Sequence, residues 1–154
     1  MIDTPFITNS SVQQTAVVHL TVPRAEIQHV MGPAITEVMS ALAEQGVEPA
    51  GPLFSYHLRM EPDLFDFEVG VPVKTPITPT GRVKAGQLPG VKVARTVYRG
   101  PYETLGQAWG EFGEWMKANG HAAADNLWEC YVVGPEVGPD VSRWETQLNR
   151  PIMA

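Results

Sequence analysis

The sequence predicts an α+β protein in which two strand-helix-strand-strand modules form one curved antiparallel sheet with two main helices and a central cleft. Three observations support this fold class. Several short segments have the composition of strands, two helical patterns each begin at Gly-Pro and end at Gly, and the same order of elements occurs twice. At 154 residues, the chain has the length of one domain.

The N-terminal part of the sequence predicts an irregular segment followed by a strand. Residues 1–14 are polar and aperiodic, which predicts a tail or a loosely docked arm. Residues 16–22 (AVVHLTV) are rich in β-branched side chains and predict a strand. Because Pro23 interrupts the pattern, the strand is expected to resume over residues 25–31 as a kinked or bulged segment.

A helix and two strands complete the first half. Pro33 suits the first position of a helix, and Gly46 is placed to end it. Between them, the apolar side chains recur at i, i+3, i+4 and i+7, on Ile35, Val38, Met39 and Leu42. After a turn-rich stretch, residues 53–59 and 64–73 predict two strands.

The second half follows a Pro- and Gly-rich segment, residues 74–89, whose first part predicts an irregular connector. Residues 90–99 alternate as a strand does, and Gly100-Pro101 opens a second helix that Gly120 ends. The apolar stripe of this helix consists of Leu105, Ala108, Trp109, Phe112 and Met116. Residues 127–133 and 141–151 then predict strands on either side of a Gly/Pro-rich loop.

The two halves also match at their turn residues. The matching pairs are Pro23 with Pro89, Gly32-Pro33 with Gly100-Pro101, residues 53–55 with 127–129, and residues 70–73 with 149–152. We interpret this as an internal duplication, with half-modules at about residues 15–73 and 82–153 inside a single domain of residues 15–154. Half-modules of this size are too small to bury their own apolar faces, and pockets favour the seam between such units.

Composition and motif content weigh against several classes of binding partner. A net charge of −6 with only 11 Lys and Arg weighs against a nucleic-acid partner. Cys130 is the single cysteine, and the N-terminus lacks a signal-peptide pattern, which favours a reducing, cytoplasmic setting. No apolar run approaches the roughly 20 residues of a membrane span, so no membrane partner is expected. The four histidines, His19, His29, His57 and His121, lack metal-ligand spacing, and no cofactor motif is present. The sequence does not indicate an oligomeric state.

Glu129 lies inside an apolar strand, residues 127–131 (LWECY). Because side chains alternate along a strand, Leu127, Glu129 and Tyr131 are expected on one face, and Trp128 and Cys130 on the other. A carboxylate in such a strand either meets water at a sheet edge or lines a cavity where a cation or a reacting group compensates its burial. From these residues alone, the solvated edge is the commoner case.

Several segments together resemble the GyrI-like small-molecule-binding family. They are residues 67–73 (FEVGVPV), 97–103 (VYRGPYE), 108–109 (AW), 128–131 (WECY) and 150–152 (RPI). The resemblance covers about residues 15–153, and it implies paired strand-helix-strand-strand modules around a cleft that takes bulky, aromatic, often cationic molecules. Some free-standing members hydrolyse cyclopropane-bearing genotoxins with a glutamate and a tyrosine, and this E-x-Y pattern falls on Glu129 and Tyr131.

The resemblance favours a cleft position for Glu129 and suggests the other site residues. Tyr98, Tyr102, Tyr131 and Trp109 are expected to rim the cleft. By the duplication, Ser55 and His57 occupy the matching face of the first half, where His57 would look across the seam at Tyr131. A strand histidine without a ligand role is the commoner case.

The second helix contains three interior glycines, Gly106, Gly110 and Gly113, each costing roughly 1 kcal/mol relative to Ala. Two interpretations are equally supported. The glycines form a flat floor for a planar ligand, or they allow another backbone to approach closely.

Three functions follow from the resemblance. The first is a stand-alone binding protein for aromatic, cationic small molecules, and the second adds hydrolysis of cyclopropane-bearing genotoxins by Glu129 and Tyr131. The third is a non-enzymatic inhibitor or sequestering protein acting on a protein partner such as DNA gyrase. A transcription-factor role is not expected, because neither residues 1–14 nor the last residues look like a DNA-binding segment.

Overall fold

A computed structural model of the chain describes residues 2–60, 63–134 and 138–153. In chain order, its elements are β1 (Phe6–Asn9), β2 (Gln13–Pro23), α1 (Ile27–Gln45), β3 (Phe54–Met60), β4 (Leu64–Pro72), β5 (Val83–Leu88), β6 (Lys92–Arg99), α2 (Leu105–Ala118), β7 (Leu127–Val133) and β8 (Glu145–Pro151). The predicted α+β class is confirmed, and all strand pairs within each half are antiparallel. The chain divides into two compact units, Ser11–Gly90 and Met1–Ser10 with Val91–Ala154.

The first unit contains strands β2 to β5 and helix α1. Its strands are paired in the order β3, β4, β2, β5. Helix α1 covers one face of this sheet, where Val18, Phe67 and Val69 pack against Val38 and Leu42 in a closed core. Gly46 has a φ of 67° and ends α1, as its position in the sequence predicts.

The second unit repeats this arrangement with β1, β6, β7, β8 and α2. Its strands are paired in the order β7, β8, β6, β1, so each unit has an edge strand beside its first core strand. Helix α2 packs its buried side chains, Ala108, Phe112 and Met116, against Ala94 and Leu148 of the sheet. The repeated order of elements is the structural form of the duplication read from the sequence.

Helix α1 starts earlier than the sequence predicts, and the expected strand over residues 25–31 is wrong. A short 3-10 helix, Arg24–Glu26, leads directly into α1 at Ile27, and Pro33 lies inside the helix instead of at its start. The reason is the spacing of Ile27, Val30 and Met31, which extends the apolar stripe of the helix backwards and packs it against the core. This packing outweighs the backbone hydrogen bond that Pro33 removes.

Two edge strands also differ from the sequence-based prediction. Residues 1–14, expected to be a tail or arm, contain β1, which pairs with β6, and the start of β2. The connector of residues 74–89 ends in β5, which pairs with β2, so the first unit extends to Gly90. Both are short edge strands that make one pairing within their unit, and such strands show little hydrophobic alternation.

Two predicted loops lie partly outside the described residues, at 61–62 and at 135–137. Within the described part of the chain, neither helix combines the length and the hydrophobicity that crossing a membrane requires.

Candidate functional site

Strand β7 presents Glu129 on the sheet face that helix α2 covers. Glu129 pairs across the ladder with Leu148, which belongs to the core beneath α2. Tyr131 lies two residues further along β7 and therefore on the same face, as the sequence predicts. Trp128 and Cys130 lie on the opposite face. The carboxylate of Glu129 is thus directed towards the helix.

Glu129 is 8% exposed, and each of its carboxylate oxygens accepts a hydrogen bond. The indole N–H of Trp109, on α2, donates to Oε2 over 2.6 Å. The hydroxyl of Tyr131 donates to Oε1 over 3.0 Å. Both donors are uncharged, and the two bonds fix the orientation of the carboxylate.

An aromatic series continues from this carboxylate. The ring of Tyr131 meets that of Tyr102 edge to face, with centroids 5.7 Å apart. Tyr102 in turn lies 5.1 Å from the ring of Trp144, and Tyr102 is 38% exposed. We call Glu129, Trp109, Tyr131, Tyr102 and Trp144 the Glu129 cluster. All five belong to the second unit.

Sequence reasoning did not identify Trp144. This residue immediately precedes β8, and its indole N–H donates to the carbonyl of Gly138 over 3.3 Å. The available signal was an aromatic residue at the end of a Gly/Pro-rich loop, which is a common position for a binding side chain.

Tyr98 is placed differently from the other predicted rim residues. It is 2% exposed and belongs to the core beneath α2. Its hydroxyl donates to the carbonyl of Pro101 over 2.9 Å and is also hydrogen-bonded to the hydroxyl of Thr104. These bonds fix the turn that leads into α2. Tyr98 therefore helps to position α2, the helix that contains Trp109.

Ser55 and His57 occupy the equivalent face of the first unit. Both lie on β3 and are buried, and their partners across the ladder, Val69 and Phe67, belong to the core beneath α1. The imidazole of His57 stacks on Phe67 with centroids 5.1 Å apart. The expected meeting of His57 with Tyr131 stays a prediction.

The three glycines of α2 are exposed and flank Trp109. Gly106 and Gly113 stand three residues before it and four residues after it, which are the neighbouring positions on a helix surface. A Cβ added at Gly106, Gly110 or Gly113 would meet no described atom within 4 Å. Close approach of a described backbone therefore does not account for these glycines.

Neither a reactive thiol nor a metal site is indicated among the described residues. Burial raises the pKa of the Cys130 thiol from 9.0 to about 11, although Arg95 acts in the opposite direction. The thiol is therefore neutral at physiological pH. The described ranges contain no group of three or more His, Cys, Asp or Glu side chains arranged to hold a metal ion.

Comparison with known structures shows the same fold in several proteins. The crystal structure of the EcmrR C-terminal domain matches with a TM-score of 0.84 and 16% identity, covering 97% of each chain. EcmrR in a DNA complex matches with a TM-score of 0.81 and 19% identity, and there the match covers 97% of this chain but 57% of the EcmrR chain. This chain therefore corresponds to little more than half of that protein.

Two further structures with this fold are a ligand-bound protein and a hydrolase. SAV2435, determined bound to tetraphenylphosphonium, matches with a TM-score of 0.66 and 11% identity over 99% of this chain and 95% of SAV2435. A hydrolase from Listeria innocua matches with a TM-score of 0.64 and 13% identity over 97% of this chain and 91% of the hydrolase. At these identities the matches show the fold alone.

Sequence comparison identifies the family. No curated protein matches the sequence significantly. The family model described as the GyrI-like small molecule binding domain matches residues 4–152. Since this match spans nearly the whole chain, the protein belongs to the GyrI-like small molecule binding domain family.

Proposed function

We propose that the Glu129 cluster binds bulky aromatic cations. The observation on which this proposal rests is a buried carboxylate whose two oxygens accept hydrogen bonds from the uncharged donors Trp109 and Tyr131. Inside a largely apolar environment, a cation interacts with such a carboxylate more strongly than it would in water.

The aromatic members of the cluster supply the apolar contact. Tyr102, Tyr131 and Trp144 form a continuous series of rings, with Tyr102 partly exposed to solvent. Aromatic faces attract cations through their quadrupole, by about 0.5–2 kcal/mol per ring, and they also stack on planar ligands. The cluster therefore combines a charge partner with surfaces that suit a large aromatic ligand.

The comparisons support this class of ligand. SAV2435, which has the same fold, was determined with tetraphenylphosphonium, a cation that consists of four phenyl rings on a charged centre. That ligand has both features that the Glu129 cluster would recognise.

Titration with tetraphenylphosphonium, followed by tryptophan fluorescence, tests the proposal. Glu129→Gln keeps the shape of the side chain and removes its charge, so affinity should fall at least about tenfold. Glu111→Gln is the matched control, because Glu111 is an exposed carboxylate on α2 and should change the affinity by less than about twofold. Equal affinity of wild type and Glu129→Gln would remove Glu129 from the site.

A second candidate function is hydrolysis of cyclopropane-bearing genotoxins. The observation that favours it is the hydrogen bond of 3.0 Å from the Tyr131 hydroxyl to Glu129, which places a base and a donor side by side. A hydrolase from Listeria innocua shares the fold.

The proposed reaction needs only water as co-reactant. Glu129 would accept a proton from a water molecule as the water oxygen forms a bond to a ring carbon. At the same time, the strained C–C bond breaks and its electron pair moves onto the conjugated carbonyl. The Tyr131 hydroxyl would turn its single proton from Glu129 to the developing oxyanion, and Glu129 would then return the proton taken from water to the product.

Turnover counting separates hydrolysis from sequestration. With excess cyclopropane substrate, a hydrolase gives many equivalents of product, and Glu129→Gln abolishes them. Tyr131→Phe should retain binding and lose about 100-fold in kcat, since one oxyanion donor is removed. Product that never exceeds one equivalent of wild-type protein would reject hydrolysis and leave binding alone.

A further inference from the structure

The sheet face opposite the Glu129 cluster has a row of side chains that the proposed function does not use. Phe6 on β1, Arg95 on β6, Asn149 on β8 and Trp128 on β7 are direct neighbours across the four strands of the second unit. Asn149 and Trp128 are buried, whereas Arg95 is partly exposed and Phe6 is 50% exposed. The row therefore opens towards solvent at its Phe6 end.

Hydrogen bonds fix the polar members of this face. Arg95 Nε donates to Asn149 Oδ1 over 2.6 Å, and Asn149 Nδ2 donates to Gln147 Oε1 over 3.1 Å. Because a guanidinium can only donate, the amide of Asn149 must present its oxygen to Arg95 and its nitrogen to Gln147. By the same reasoning, Gln147 accepts through its oxygen and keeps its own NH2 group as a donor. This hydrogen-bond network therefore has N–H donors at both ends, on Arg95 and on Gln147.

Arg95 also keeps most of its hydrogen-bonding capacity. A guanidinium has five N–H donors, and Asn149 takes the one on Nε, which leaves the four on the two Nη atoms. Among the residues with described positions, no carboxylate lies within salt-bridge distance of Arg95. Arg99, four residues further along β6, contrasts with it by pairing with both Asp3 and Glu145 at 3.2 Å.

The neighbouring groups do not oppose an anion. Val97 and Cys130 flank Gln147 across the ladder. Val97 is uncharged, and the raised pKa of Cys130 keeps its thiol protonated at neutral pH. The two Nη atoms and the amide of Gln147 thus form a set of donors bordered by neutral side chains.

We propose that Arg95, Gln147 and Phe6 form a second ligand site, which binds aromatic carboxylates. The two Nη atoms of Arg95 bind the carboxylate in a bidentate, charge-assisted manner, as guanidinium groups commonly do. The ring of Phe6, beside Arg95 in the ladder, packs against the aromatic part of the ligand. Asn149 is a positioning residue that holds the guanidinium through Nε.

This site is distinct from the Glu129 cluster and does not depend on it. Glu129 and Cys130 are adjacent in β7, and adjacent side chains in a strand point to opposite faces of the sheet. The two sites also have opposite charge, so a ligand that suits one is repelled by the other.

Binding of 2-naphthoate and its neutral analogue 2-naphthamide to the full chain, measured by NMR chemical-shift titration, tests the proposal. Wild type should bind naphthoate at least about tenfold more tightly than naphthamide, because only the carboxylate can form the bidentate ion pair. This comparison needs no variant, so it holds even if a substitution disturbs folding.

Variants then locate the site. Arg95→Gln should lower naphthoate affinity at least about tenfold. Arg95→Lys keeps the positive charge but cannot form the bidentate pair, so its affinity should lie between those of wild type and Arg95→Gln. Arg99→Gln, on the same strand and face, is the control and should stay within about twofold of wild type. Equal binding of naphthoate and naphthamide, or equal naphthoate affinity of wild type and a folded Arg95→Gln, would overturn the proposal.

Discussion

Trp109 donates its indole N–H to Oε2 of Glu129 over 2.6 Å, which joins helix α2 to strand β7 through a buried hydrogen bond. The two residues are 20 positions apart in the chain, and each is held by its own element. The position of the carboxylate therefore depends on how α2 packs on the sheet. Any change that moves this helix also moves one of the two donors that orient Glu129.

The first prediction concerns this bond. Trp109→Phe removes the N–H donor and leaves a buried carboxylate oxygen without it, so the free energy of unfolding should fall by about 1.5–3 kcal/mol beyond the effect of lost contact area. Trp115→Phe is the matched control on the same helix, since Trp115 packs against the core beneath α2 and stacks on His121, with no described hydrogen bond from its indole N–H. Urea denaturation of both variants measures the difference, and equal losses would contradict the role given to Trp109.

The glycines of α2 give the second prediction. Alanine at Gly106, Gly110 or Gly113 meets open space, so each substitution should stabilise the protein by about 0.5–1 kcal/mol through helix propensity. If the exposed glycines serve as a floor for a planar ligand, the triple variant should be more stable and yet bind tetraphenylphosphonium less tightly. Thermal unfolding and ligand titration of the same variant test both parts, and an unchanged affinity would reject the floor interpretation.

Cys130 supplies a prediction about pH. Its pKa of about 11, raised mainly by burial, lowers the thiolate fraction of the folded protein at pH 8 by roughly 100-fold relative to a thiol of pKa 9.0. Alkylation by iodoacetamide, followed by mass spectrometry, should therefore be slow at pH 8 and should accelerate as the pH rises towards 11. Unfolding in guanidinium chloride should remove the difference. Rapid alkylation of the folded protein at pH 8 would contradict the burial of this thiol.

Sequence reasoning succeeded where hydrophobic periodicity was strong. The alternation of residues 127–131 placed Glu129 and Tyr131 on one face and Cys130 on the other, as the structure shows. The end of α1 at Gly46 and the repeated order of elements also followed from local patterns. The first two predictions each need information from one element alone, and the repeated order follows from reading the elements one after another.

Sequence reasoning failed where the decisive contact lies between elements. The pattern of residues 25–31 suits either a strand or a helix, and packing of Ile27 and Val30 on the core decides for the helix. Trp144 joins Tyr102 only because the chain folds back before β8. The indole of Trp109 was expected at the rim of a cleft, and its bond to Glu129 depends on the docking of α2, which no local pattern encodes.

The most direct test of the Glu129 cluster is discrimination between two ligands of equal shape and opposite charge. Tetraphenylphosphonium and tetraphenylborate both consist of four phenyl rings on one central atom, so their affinities differ mainly through charge. Isothermal titration calorimetry of wild type with each ion gives the ratio of affinities, and the same measurement on Glu129→Gln shows how much of that ratio Glu129 provides. We predict that wild type prefers the cation at least about tenfold and that this preference falls by at least about tenfold in Glu129→Gln. Equal affinity of wild type for the two ions, or a preference for the cation that survives the substitution, would contradict the assignment of Glu129 as the charge partner.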